Sequence, residues 1–115
     1  MWYNYLYKPM LNVRQQIAFG LRTILKNLID QDFTFSIEHP KDESHGDYSS
    51  NAAMTLWANK ESRIKNQEYK SPFELAQKIA GQFMIHNSKF MILDRVEAMK
   101  PGFINFFLSK EYLLS

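Results

Sequence analysis

Apolar residues Val13, Ile17, Leu21, Ile24 and Leu28 follow one another at steps of four, four, three and four. This spacing predicts a helix over residues 11–30, with Ala18, Leu25 and Ile29 widening the apolar stripe and Arg14, Arg22 and Lys26 outside it. Gly20 weakens that helix by about 1 kcal/mol relative to alanine, which suggests close packing by another element. The period then shortens to two. Phe33, Phe35 and Ile37 alternate with Thr34, Ser36 and Glu38, the pattern of a half-buried strand that Pro40 helps to end.

Residues 39–48 are polar and turn-prone, and Gly46 is expected at a left-handed or tight-turn position. A short second strand is expected over 46–49, then a helix over 51–60 with Ser49 or Ser50 as its N-cap. Residues 61–70 are the most polar stretch and read as a solvated, partly helical connector. Ser71, Pro72 and Glu74 form a capping-box signature with proline at the first helical position. Phe73, Ala76, Ile79, Ala80 and Phe83 then share one face of the helix. Strands are predicted over 90–98 and 103–109, joined at a Pro101-Gly102 turn. The order helix, strand, short strand, two helices, strand, strand predicts an α+β fold, a two-layer sandwich with helices on one face of an antiparallel sheet.

Composition narrows the picture. A length of 115 residues suits one domain, and 45% hydrophobic content supplies a core, which argues against a disordered chain. Fourteen Lys and Arg face twelve acids, a net charge of +2, too little for nucleic-acid binding by charge alone. Any RNA contact should therefore be small, shaped, or shared with another domain. With no cysteine, disulfides and thiolate metal sites are excluded. No apolar run approaches the roughly 20 residues that span a bilayer. Residues 1–10 are aromatic with one lysine and lack the apolar core and cleavage site of a signal peptide. These features lead to the expectation of a cytoplasmic protein without membrane contact.

The last strand carries the most informative chemistry. Alternation puts Ile104, Phe106 and Leu108 on one face and Phe103, Asn105 and Phe107 on the other. The aliphatic-rich set fits the core. The second set leaves two readings open. In one, both faces are partly buried and Asn105 bonds backbone. In the other, the aromatic rings stack on unpaired bases while the amide reads a base edge or a 2′-hydroxyl. Ser44-His45-Gly46-Asp47, with His39 and Glu43 nearby, invites a metal or acid–base reading, but no ligand spacing is present and a turn with a capping aspartate is favoured. His86 near a helix end is unremarkable. There is no phosphate-cradling glycine loop, no nucleophile elbow and no cysteine nucleophile, so a stand-alone enzyme is disfavoured.

Three segments, in order and at matching spacing, resemble arginyl-tRNA synthetases. Residues 38–54, with Pro40, Asp42, His45-Gly46-Asp47-Tyr48, Asn51 and Ala53-Met54, resemble that family's Pro-x-Asp-x-x-His-Gly-Asp-Tyr-x-x-Asn-x-Ala-Met segment. Ser71-Pro72-Phe73-Glu74-Leu75-Ala76 is similar to its Asn-Pro-Arg-Glu-Leu-Ala helix start. Val96-Glu97-Ala98 and Pro101-Gly102-Phe103-Ile104-Asn105-Phe106 resemble its Val-Glu-Val-Ala-Gly-Pro-Gly-Phe-Ile-Asn-Phe hairpin. The resemblance covers residues 10–115 and implies the family's N-terminal additional domain, with a four-stranded antiparallel sheet that contacts the tRNA D-loop.

Carried over residue by residue, that contact falls on Phe103 and Asn105; Phe107 joins them by sharing their face. Tyr48 and Asn51 are further candidates, as RNA contacts or as structural residues. The resemblance implies tRNA(Arg) as partner, alongside the class I catalytic domain of the same protein, and a monomer. It also implies ATP with magnesium and L-arginine as the ligands of that catalytic domain, with no cofactor or metal in this chain. The His-x-Gly-His and Lys-Met-Ser-Lys signatures are absent here, so these residues are expected to be non-catalytic. The alternative is a protein-interaction or structural module with no RNA affinity.

Two features depart from the family pattern. The turn reads Ala98-Met99-Lys100-Pro101-Gly102, bulkier and more charged than Ala-Gly-Pro-Gly. Residues 1–9, with Trp2, Tyr3, Tyr5 and Tyr7, have no counterpart and read as an extension, for which Met10 would be an alternative start.

Overall fold

The computed structural model describes residues 12–29, 34–59, 69–87 and 93–110. The 1–9 extension, most of the 61–70 connector and the first residues of the strand expected over 90–98 lie outside them.

Helix α1 (Val13–Leu28) starts at a reciprocal capping box. Asn12 Oδ1 accepts the Gln15 N–H at 2.8 Å, and Gln15 Oε1 accepts the Asn12 N–H at 3.0 Å. Its buried residues, Val13, Ile17, Gly20, Leu21, Ile24 and Leu25, follow the predicted stripe, and the helix ends where Ile29 turns extended. Gly20 is buried. Strand β1 is only Ile37–Glu38, although Phe35 packs against the core as the alternation required. A short 3-10 turn over Glu43–His45 leads into β2 (Tyr48–Ser50).

The N-cap of helix α2 (Ala52–Ala58) is Asn51 rather than the expected Ser49 or Ser50, and its side chain makes no capping bond; Ser50, one residue earlier, accepts the Ala52 N–H on its Oγ at 3.1 Å. Helix α3 (Pro72–Asn87) has its predicted start, with Ser71 Oγ accepting the Glu74 N–H at 3.2 Å. Strands β3 (Leu93–Met99) and β4 (Phe103–Leu108) form the closing hairpin, whose turn contains a cis Lys100–Pro101 peptide bond.

The sheet is antiparallel throughout, in the order β1-β2-β4-β3. With the three helices it makes an α+β fold. Ile37, Val96, Ile104 and Phe106 from the sheet share one buried cluster with Ile17, Leu21 and Ile24 of α1, Leu56 of α2, and Leu75, Ile79 and Phe83 of α3. Phe106 and Phe83 meet edge to face with centroids 5.0 Å apart. The hairpin turn is pressed against the helices. A Cβ added at Gly102 would lie 2.7 Å from Met54 Cγ and 2.9 Å from Pro72 Cβ, so only glycine fits.

Candidate nucleic-acid interface

Because side chains alternate along a strand and directly paired residues share a face, register carries the Asn105 position across the whole sheet. Glu38, Ser49, Asn105 and Glu97 form one row over four strands. On one side of this row lie the paired residues Arg95 and Phe107, and on the other Met99 and Phe103. The adjacent residues of β4, Ile104 and Phe106, point the opposite way and are fully buried in the core.

Asn105 is only 3% exposed. Ser49 Oγ donates to its Oδ1 at 2.7 Å, and its Nδ2 donates to the Met99 sulfur at 3.5 Å. The Asn105 amide is thus bonded to two side chains, Ser49 and Met99. Phe103 and Phe107 are partly buried. Over the Phe107 ring lies the Arg95 guanidinium, its carbon 3.8 Å from the ring centroid. Arg95 Nη1 donates to Asp94 Oδ2 at 3.1 Å, and Nε pairs with Glu97 Oε1. The carboxylates of Asp94 and Glu97 outnumber the one cation of this patch.

Tyr48 and Asn51 stand apart from this set. Tyr48 pairs with Phe106 and so belongs to the helix-facing side. His39 packs on it with ring centroids 4.4 Å apart, and the Arg14 guanidinium lies 5.9 Å from its ring. Asn51 Oδ1 accepts the Ser36 N–H at 2.9 Å, tying the chain ahead of β1 to the start of α2.

The His-Gly-Asp corner does structural work. Gly46 has φ +93° and ψ −172°, a region open essentially to glycine alone, and an added Cβ would sit 2.8 Å from the Phe106 carbonyl oxygen. Asp47 N–H donates to that carbonyl at 2.9 Å, and the Leu108 N–H donates to Asp47 Oδ2 at 2.8 Å. A side-chain carboxylate thereby continues the ladder where β2 stops. His39 Nδ1 lies 3.0 Å from the Asp47 carbonyl oxygen. The aspartate that caps the turn is Asp42, which accepts the Ser44 hydroxyl at 2.7 Å and its N–H at 2.9 Å. The hydroxyl first, then the N–H, hold the Asp42 carboxyl below the usual carboxylate value.

Sequence reading singled out Phe103, Asn105 and Phe107, which the fold does place on one face. It missed Ser49, Met99, Arg95 and Glu97. A signal existed for three of these. A three-residue connection pairs Met99 with Phe103, and counting outward pairs Glu97 with Asn105 and Arg95 with Phe107. Ser49 had no such signal, since its contact with Asn105 spans 56 residues.

Chemically, this face offers an amide, two aromatic rings and a planar cation, which suits packing on an unsaturated surface and hydrogen bonding to it. Among the described residues, no group of three or more His, Cys, Asp or Glu could hold a metal, and no helix is long and apolar enough to cross a membrane.

Fold and site together define an α+β domain with an aromatic–amide face on the side of its sheet turned away from the core. Residues 12–108 match the model of the arginyl tRNA synthetase N terminal domain, and the chain belongs to that family. It is 37% identical over 101 residues to the arginine–tRNA ligase of Thermotoga petrophila, covering 88% of this chain and 16% of the relative. With the arginine–tRNA ligase of Acetivibrio thermocellus it shares 36% identity, covering 90% of this chain and 18% of the relative. With that of Bacillus licheniformis it shares 39% identity over 77 residues, which is 67% of this chain and 12% of the relative. The chain thus spans less than a fifth of the length of these curated relatives.

Proposed function

We propose that this chain is the tRNA-binding appended domain of an arginine–tRNA ligase, and that its β3–β4 face rests on the D-loop at the elbow of tRNA(Arg). The ATP-dependent attachment of arginine takes place in a class I catalytic domain beyond these 115 residues, where ATP, magnesium and L-arginine bind. This domain contributes affinity and orientation. The observation that carries the reading is the gathering of Phe103, Asn105 and Phe107 on one sheet face, in a chain whose family membership spans almost its whole length.

The geometry also suggests how Asn105 could serve RNA while buried. Thioether sulfur is a weak acceptor and a serine hydroxyl rotates freely. A base edge or 2′-hydroxyl could therefore replace the 3.5 Å N–H···S contact without breaking any backbone bond. Loss of such a contact should reduce affinity by about 1–3 kcal/mol, by analogy with base readout.

The test is a titration of tRNA(Arg), and of the same tRNA with a D-loop base change, at two salt concentrations. Salt-dependent affinity that falls with the base change, and with Asn105→Ala in a folded protein, supports the reading. Equal affinity for both tRNAs and for the variant sinks it. The same reading makes the protein a cytoplasmic monomer, which light scattering and fractionation test.

A second reading, a protein-interaction module without RNA affinity, draws on Phe19 and Ile85, which are 68% and 70% exposed on α1 and α3. A partner that survives nuclease and high salt would favour it.

A further inference from the structure

We infer that on the Phe107 side of this face the stacking surface is the guanidinium of Arg95 rather than the ring of Phe107, and that an unpaired base of the bound RNA packs on it beside Asn105. The inference rests on the tRNA-binding reading above and deepens it. Carbon atoms in van der Waals contact lie about 3.5–4.0 Å apart. A guanidinium carbon 3.8 Å from the Phe107 ring centroid therefore leaves no room for an edge-on approach, in which a nitrogen would stand between. The group lies flat on the ring. That face of Phe107 is consequently occupied, and the plane turned outward belongs to Arg95, whose side chain is 50% exposed.

The plane is also held in place. Asp94 takes Nη1 and Glu97 takes Nε, while the ring supports the guanidinium from below. A flat cation fixed in this way loses little freedom when a base settles on it. Arginine planes are an ordinary stacking partner for splayed-out bases. The same two carboxylates argue against the other use of an arginine, a phosphate contact. Two acids around one cation, with Glu38 at the far end of the Asn105 row, do not favour a phosphate here. Glu97 pairs directly with Asn105, so the stacking plane and the amide belong to adjacent positions of one hairpin face.

The experiment compares Arg95→Ala, Arg95→Lys and Asn105→Ala in the full-length protein, binding tRNA(Arg) over a salt series. Lysine keeps the charge but has no plane. Stacking predicts that both Arg95 variants weaken binding by about 5- to 150-fold, the range found for removing one base stack, while the salt slope stays as in the wild type. A tRNA carrying 2-aminopurine at unpaired D-loop positions supplies a readout that strand stability does not move. One position should change its fluorescence on binding the wild type and not on binding Arg95→Lys. Retention of wild-type affinity and of that fluorescence change by Arg95→Lys overturns the inference in favour of a charge contact. If Asn105→Ala weakens binding while both Arg95 variants bind normally, stacking on Arg95 is wrong and the reading of the face survives. If all three bind normally, both fall.

Discussion

Asp47 and Asn105 both serve strand β4, and they use their hydrogen-bonding groups differently. The Asp47 carboxylate accepts a backbone N–H, from Leu108, and its own N–H goes to the Phe106 carbonyl. The Asn105 amide is bonded to two side chains, Ser49 and Met99. Backbone partners cannot be exchanged without opening the sheet, because the ladder itself supplies them. Side-chain partners exchange by rotation about single bonds. The His-Gly-Asp-Tyr corner, the most conspicuous stretch of polar chemistry in the sequence, is therefore committed to the fold. The quieter hairpin face is the one able to trade an internal contact for an external one.

The largest test of this contrast is to truncate neighbouring rings on opposite faces of β4. Phe106→Ala empties a fully buried site packed on Phe83, and should destabilise the domain by about 3–5 kcal/mol in denaturant unfolding. Phe107→Ala, on a partly exposed ring, should lower stability far less and RNA affinity more. Equal losses of stability would erase the distinction between the faces.

At the corner, Gly46→Ala should destabilise by roughly 2–3 kcal/mol, since backbone strain in this region and a Cβ 2.8 Å from the Phe106 carbonyl act together. For a domain near this size that lowers the melting temperature by roughly 10–20 °C. Tolerance of alanine there would mean that the corner yields. Asp47→Ala leaves the Leu108 N–H without its carboxylate and should lose about 1.5–3 kcal/mol, the range for hydrogen bonds to charged groups. Hydrogen exchange at Leu108 should rise in this variant while tRNA affinity, corrected for the unfolded fraction, is maintained.

The smallest effect is electrostatic. Bonds from Ser44 lower the folded-state pKa of Asp42, so the stability they provide is present above the ordinary carboxylate value and is lost as pH falls through the lowered one. A carboxyl NMR titration should show this low midpoint, and Ser44→Ala should move it upward. An unchanged midpoint would separate the turn's order from its charge.

Much of the fold was legible in local periodicity. The α1 stripe, the proline-led start of α3, the glycine corner and the two faces of β4 each depend on residues close in sequence, where helical and strand spacing act directly. Boundaries were less so. Of the strand expected over 33–38, the described residues form a ladder only at Ile37–Glu38, because ladder pairing needs a partner and β2 offers only Ser49 and Ser50 to it. The candidate site was legible as a face and illegible as a set of contacts. Alternation placed Phe103, Asn105 and Phe107 together. Tertiary structure decided that Ser49 closes the Asn105 amide across 56 residues, that Asp47 reaches Leu108 across 61, and that Tyr48 belongs with the helices. It also laid Arg95 on Phe107. The physical reason is that side-chain alternation belongs to a single strand, whereas which row meets which is set by the strand order β1-β2-β4-β3 and its register, and these are non-local.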